Sequence, residues 1–243
     1  MLKNDNSMIE IENLEKIYRN DSVETLALQG VSFKIAQGEF VSIMGPSGSG
    51  KSTLMHIMCS LDRPSSGIYK FEGKNIDNFN DDELARIRNK KMGFVFQSYN
   101  LLSRTTVFDN VRLPLVYTGF SKEKEYEMVK QALESVGILH RSSHFPNQLS
   151  GGEQQKTAIA RAIVNHPSII FADEPTGNLD SKSGQQIMNI FQTLNNQGHT
   201  IILVTHERYT AEMAKRIISL KDGVIVSDEL VSLRHYAKDG LIK

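Results

Sequence analysis

The chain is predicted to fold as α/β: a mainly parallel sheet buried on both faces, an antiparallel β subdomain and a helical insertion. Three observations carry this. The apolar runs at 40–44, 92–96, 168–172 and 200–204 are continuous rather than alternating, as in strands covered by helices on both sides. The first run leads straight into a glycine-rich loop and then a helix-like stretch at 53–58. Between the second and third runs the apolar spacing turns helical.

The loop is Gly45, Pro46, Ser47, Gly48, Ser49, Gly50, Lys51, Ser52 and Thr53. Strand, glycine-rich loop and helix is the context that makes this spacing a phosphate-binding loop. Gly45, Gly48 and Gly50 are expected to take positive φ, so that successive N–H groups converge on one anion. The helix N-terminus adds its positive dipole end. Lys51 is then placed to neutralise β- and γ-phosphates, and the Ser52 hydroxyl to ligate Mg²⁺. A glycine-serine linker needs neither the preceding strand nor Lys-Ser at the mouth of a helix.

Residues 8–11 alternate like a strand, and Val31, Phe33 and Ile35 repeat that period. Residues 67–73 form a glycine-bounded strand pattern. Residues 81–88 read as a short helix, acids first and bases last. Val129, Ala132, Leu133 and Val136 follow helical spacing, with Ser121 as N-cap and Gly137 as terminator. A second helix is expected over 153–164. The insertion is thus drawn at 98–165, within a core of 1–97 and 166–228. Ile187, Ile190, Phe191 and Leu194 mark an amphipathic helix closing at Gly198, and 217–226 a hairpin. The tail, 229–243, is polar and carries no pattern.

Composition narrows the function classes. The 243 residues carry 28 acidic and 28 basic side chains, so no global positive field marks a nucleic-acid binder. A single Cys59 excludes an internal disulfide and suits a reducing cytosol. No apolar run approaches the ~20 residues that span a bilayer, and residues 1–6 lack a leader's apolar core. Work at a membrane would require a partner. His140 and His144 share helix-like spacing, but no Cys or acid completes a metal set.

Ligands of parallel α/β sheets sit beyond the carboxyl ends of the strands. Here those ends are the phosphate loop, Gln97, Asp173-Glu174 and His206. Two adjacent acids after four apolar residues must be solvated or metal-linked. Asp173 fits the Mg²⁺ shell, and Glu174 a general base for an attacking water. His206 would contact the γ-phosphate and hold base and water in line. Ser150, Gly151, Gly152 and Glu153 open a second helix: a capping box, and also a possible second anion site.

Together these residues resemble the ATP-binding subunit of an ABC transporter, a P-loop NTPase with a RecA-like core, over nearly the whole chain. The resemblance makes Tyr18, in the loop before the second strand, the adenine-stacking aromatic. It makes Gly45 to Thr53 Walker A and Gln97 the Q-loop residue near Mg²⁺. Ser150 to Glu153 fall in the signature, Asp173 and Glu174 in Walker B, Asp180 in the D-loop, and His206 is the switch histidine. It implies ATP and Mg²⁺, a head-to-tail homodimer with Ser150, Gly151 and Gly152 gripping the partner's γ-phosphate, and an integral membrane permease. The expected place is cytoplasmic, peripheral on the inner face of the membrane, with no nucleic-acid partner. Residues 93–97 and 172–180 look most like the macrolide-export, lipoprotein-release and peptide-resistance branch; the cell-division ATPase and soluble members of the fold are the alternatives. Lys156 departs from the usual Arg, keeping the charge without the bidentate contact.

Overall fold

A computed structural model describes residues 7–20 and 23–237. The reading of residues 1–6, and the last part of the tail at 238–243, lie outside the described residues. The chain runs β1 (Ser7–Asn20), β2 (Val23–Ala36), β3 (Phe40–Met44), α1 (Lys51–Met58), β4 (Ser66–Phe71), β5 (Lys74–Asn75), α2 (Asp81–Lys91) and β6 (Met92–Val95). The middle is helical: α3 (Val107–Arg112), α4 (Lys122–Ser135) and α5 (Gly151–Ile163). The last third holds β7 (Ile169–Asp173), α6 (Ser181–Asn196), β8 (Thr200–Thr205), α7 (Arg208–Ala211), β9 (Arg216–Lys221) and β10 (Val224–Leu230).

Local chemistry accounts for the helix ends. Asn80 and Glu83 close a capping box on α2, with three acids in the first turn and three bases in the last. Ser121 accepts from the Lys124 N–H to start α4, and Gly137 at φ 73° ends it in the left-handed region. Asp222 and Gly223, both at positive φ, make the tight turn of the β9–β10 hairpin.

Two sheets result. One is antiparallel, in the order β2-β1-β4-β5; the other runs β10-β9-β3-β8-β7-β6, parallel except for the β10 edge. Period-two alternation inside the continuous apolar runs now has a purpose. Phe40, Ile170, Ala172, Ile201 and Leu203 join the core shared with α3–α6. Val41, Ile43, Ile169, Phe171, Ile202 and Val204 join the core shared with α1 and the antiparallel sheet. A sheet buried on both faces cannot show an apolar–polar alternation.

The tail is the main departure from expectation. It packs down as far as Ala237, although its sequence shows no apolar period. Arg234 Nε donates to the Met213 carbonyl at 2.8 Å and Gln192 Nε2 to the His235 carbonyl at 2.8 Å. The Ala237 N–H returns to Gln192 Oε1 at 3.0 Å. His235 stacks on Tyr209 with ring centroids 4.6 Å apart. Its anchors are polar and aromatic contacts to backbone groups, the Gln192 amide and the Tyr209 ring, which leave no periodic apolar signature.

Helix α5 lies close over β6. A Cβ added at Gly93 would stand 2.4 Å from the Ala162 carbonyl oxygen. Gly93→Ala should therefore destabilise by about 1–3 kcal/mol through overpacking. A lowered urea midpoint with unchanged slope checks this.

Candidate active site

Strands β3, β8, β7 and β6 are neighbours in that order, and their register is level: Met44 pairs with Thr205, Val204 with Asp173, and Ala172 with Val95. The loops that follow them therefore leave the sheet along one rim.

The first is the glycine-rich loop. Gly48 and Gly50 have φ of 79° and 100°, and Gly50 is the N-cap of α1. Gly45 differs from expectation, since its φ is not positive. It is glycine for space: a Cβ there would lie 2.1 Å from the Leu220 carbonyl oxygen and 2.6 Å from Ser49 Oγ. Pro46 and Ser47 are exposed at the tip. Lys51 is buried, and its ammonium donates to the Gly45 and Pro46 carbonyls at 2.7 and 2.8 Å, holding the cation in the loop. Ser49 Oγ is buried without a protein partner. Ser52 and Thr53 sit on the first turn of α1, Ser52 exposed. A cation in the loop, a helix N-terminus and an unpaired hydroxyl suit a phosphate chain.

Beside it, Glu174 Oε1 lies 2.7 Å from His206 Nδ1, and Thr205 Oγ1 donates to Glu174 Oε2 at 3.4 Å. A carboxylate only accepts, so Nδ1 is the donor in this pair, and the imidazole is otherwise exposed. Glu174 stands at φ 45°, fixed by its N–H on the Val204 carbonyl at 2.9 Å. Burial raises the Asp173 carboxyl above the ordinary carboxylate range, and the neighbouring Glu174 charge adds to it; His56 and Lys51 partly offset both. Gln97 is exposed, its carbonyl accepting from Asn178 Nδ2 at 3.1 Å. Gly177 gives it room, since a Cβ there would meet Gln97 Nε2 at 2.7 Å.

Tyr18 lies within β1, paired with Thr25, and not in the loop where the sequence placed it. Long strands here carry the pairing past the last apolar residue. The Tyr18 hydroxyl donates to Asp62 Oδ2 at 3.0 Å, and Lys16 Nζ sits 4.9 Å from its ring centroid. Burial pushes the Asp62 carboxyl up, but Lys16, the Arg63 N–H and the Tyr18 hydroxyl outweigh it and hold it low. Lys16 and Asp62 were silent in the sequence because they converge from 46 residues apart.

The second helix N-terminus is the capping box expected. Ser150 Oγ accepts from the Glu153 N–H at 3.3 Å, while Glu153 Oε2 accepts from the Ser150 N–H at 2.9 Å. Glu153 also pairs with Arg141 at 2.9 Å, so its carboxylate holds the helix start rather than facing an anion. Gly151 is pressed against the Tyr99 and Leu179 side chains and Gly152 against the first turn of α6. Cβ atoms there would meet Tyr99 Oη at 3.0 Å and Ser183 Oγ at 3.1 Å. Asp180 caps α6, accepting from the Lys182 and Ser183 N–H groups at 3.0 Å each. Lys156 Nζ donates to Gln186 Oε1 at 2.9 Å, a single contact.

Among the described residues no cluster of three or more His, Cys, Asp or Glu could hold a metal by itself. The Ser52 hydroxyl and Asp173 carboxylate are hard oxygen donors. They suit Mg²⁺, which commonly takes one or two protein oxygens and fills its shell with phosphate and water.

The family profile described as ABC transporter matches residues 28–177, from within β2 to past the acid pair. This chain belongs to the ABC transporter family. Within that family it is 56% identical over 221 residues to a macrolide export ATP-binding/permease protein, MacB, of Chlorobaculum tepidum. That match covers 91% of this chain and 34% of the relative, so the chain spans about a third of the length of that protein. It is 50% identical over 219 residues to the uncharacterized ABC transporter ATP-binding protein YknY of Bacillus subtilis, covering 90% of this chain and 95% of YknY. Among solved structures, the ATP-binding cassette MJ0796, a dimer bound to ADP and phosphate, superposes with a TM-score of 0.86 at 42% identity, covering 93% of this chain and all of the other.

The Asp173 environment makes a stability prediction. A carboxyl raised in the folded state stabilises most below its ordinary pKa and loses that contribution as pH rises through the raised value. Ionised Asp173 therefore costs stability at neutral pH. Asp173→Asn should raise the nucleotide-free Tm at pH 7.5. The gain should vanish in calorimetry below about pH 4, where both side chains are neutral.

Proposed function

We infer that this cassette is the ATP-hydrolysing part of a membrane transporter. It works as a head-to-tail pair in which each ATP lies between the Gly45–Thr53 loop of one protomer and the Ser150–Gly152 loop of the other. The observation that carries this reading is the Glu174–His206 contact of 2.7 Å, set beside Asp173 and the Lys51 loop on one rim. Lys51 neutralises the phosphates, and the loop and the α1 N-terminus orient them. Glu174 takes a proton from the attacking water, and His206 steers the carboxylate. Mg²⁺ held by Ser52 and Asp173, with Gln97 at the edge of its shell, would supply charge neutralisation at the transferred phosphoryl group. Tyr18 offers its ring to the base, while Asp180 faces the second site across the pair.

A permease is the partner this cassette needs. No helix among the described residues is long and apolar enough to cross a membrane. Between α2, β6, the turn at 113–117 and α5 runs a groove of about 930 Å³, whose apolar lining includes Leu61, Phe94, Phe96, Leu113, Pro114 and Tyr117. Tyr117 is 85% exposed at its lip. The groove abuts the segment that leaves Gln97, so an apolar segment of a permease seated there would feel closure and opening of the pair. The core of 1–97 and 166–228 and the helical block of 98–165 are then the two bodies that move. The similarity to a macrolide exporter supports the mechanical-export branch, and the reading places the pair on the cytoplasmic face of the membrane.

Glu174→Gln is the decisive variant. It should bind ATP, shift from monomer to dimer with MgATP in sedimentation, and lose about 10²–10⁴ in turnover, the usual share of a general base. Hydrolysis at the parental rate would remove Glu174 from the chemistry.

A further inference from the structure

The loop after β6 is tied to two different bodies, and the partners change between Gln97 and Tyr99, across a turn closed by the Tyr99 N–H on the Phe96 carbonyl at 3.2 Å. Gln97 belongs to the core: its carbonyl accepts from Asn178 Nδ2 at 3.1 Å, and its side chain nestles against Gly177. Tyr99 and Asn100 belong to the helices. Arg161 of α5 donates from its two terminal nitrogens to the Tyr99 carbonyl at 2.8 Å and the Asn100 carbonyl at 2.5 Å. Both residues are left-handed, at φ 60° and 49°. A Tyr in that region is strained and persists only where its surroundings over-determine it. Further along, Asn110 of α3, fully buried, accepts from the Leu102 N–H at 2.7 Å and donates to the Leu102, Thr105 and Thr106 carbonyls. The segment 99–106 is thus held by α5 at one end and α3 at the other.

We propose that Arg161 is a positioning residue that fixes the tip of this loop to the signature helix, so that the joint between the two bodies is Ser98. The guanidinium is half-buried, and burial lowers its pKa. Each carbonyl is met by its own nitrogen of the planar fork, whereas an ammonium would have to reach both from a single, shorter-reaching nitrogen. The consequence reaches the second anion loop, because the Tyr99 hydroxyl closes on Gly151 from one side and Leu179 from the other. Movement of α5 therefore carries Tyr99 with it past Gln97. Asn100 and Arg161 also line the apolar groove, which puts the staple beside the surface assigned above to the permease. Its kinetic consequence rests on the ATPase reading; its mechanical part does not.

Two variants, Arg161→Lys and Arg161→Ala, test it by amide hydrogen exchange and by kinetics. In Arg161→Lys, protection at residues 99–102 should fall about tenfold while Gln97 and Asn178 keep theirs. Turnover should drop about tenfold with KM for ATP within a factor of about two, the split expected when geometry and not uniform binding is lost. Uniform loss of protection, or parallel loss of Tm and ATP binding, would make Arg161 merely structural and overturn the proposal. Unchanged exchange at 99–102 would overturn it as well. If the parent chain hydrolyses no ATP, the ATPase reading fails while the exchange result still decides the staple. Should neither variant fold, the parent decides: amides 99–102 must exchange with α5 rather than with β6.

Discussion

The site exists because four parallel strands, β3, β8, β7 and β6, end together. Their pairing puts Met44 beside Thr205, and Asp173 beside Val204. A one-residue slip in any of them would turn its loop residues to the opposite face of the sheet. That register is enforced from both sides, since alternate residues of each strand are buried in different cores. The chemistry at the rim therefore draws its precision from packing well below it.

The second determinant is close approach of neighbouring segments at glycines. Gly45 sits against the Leu220 carbonyl, Gly151 against Tyr99 and Leu179, and Gly152 against Ser183. These glycines are as much about loops touching one another as about an anion reaching the backbone. The Ser150 helix start, the Gln97 loop and the Asp180 cap form one packed unit in a single protomer. A change at any of the three is felt at the other two.

The electrostatics run against stability. Two acids stand at the end of β7, the first buried enough to resist ionisation, with a lysine ammonium turned into its own loop close by. In the function proposed above, Mg²⁺ and phosphate would neutralise this arrangement, and binding would thereby favour one conformation over another.

The apolar runs, the glycine-rich loop, the capping residues Ser121 and Ser150, and the acids at strand ends were all legible in the sequence. They depend on neighbours a few residues away, where periodicity and turn chemistry act. The family followed from their order. What the sequence hid is convergence across distance: Lys16 and Asp62 on Tyr18, Arg161 on the Gln97 loop, Gln192 on the tail. Tyr18 was misplaced because strand pairing outran its apolar pattern, and Gly45 misread because its constraint is a carbonyl contributed by β9. Local spacing determined which residues carry chemistry. Only tertiary packing decided which of them touch, because a contact between segments leaves no period in either.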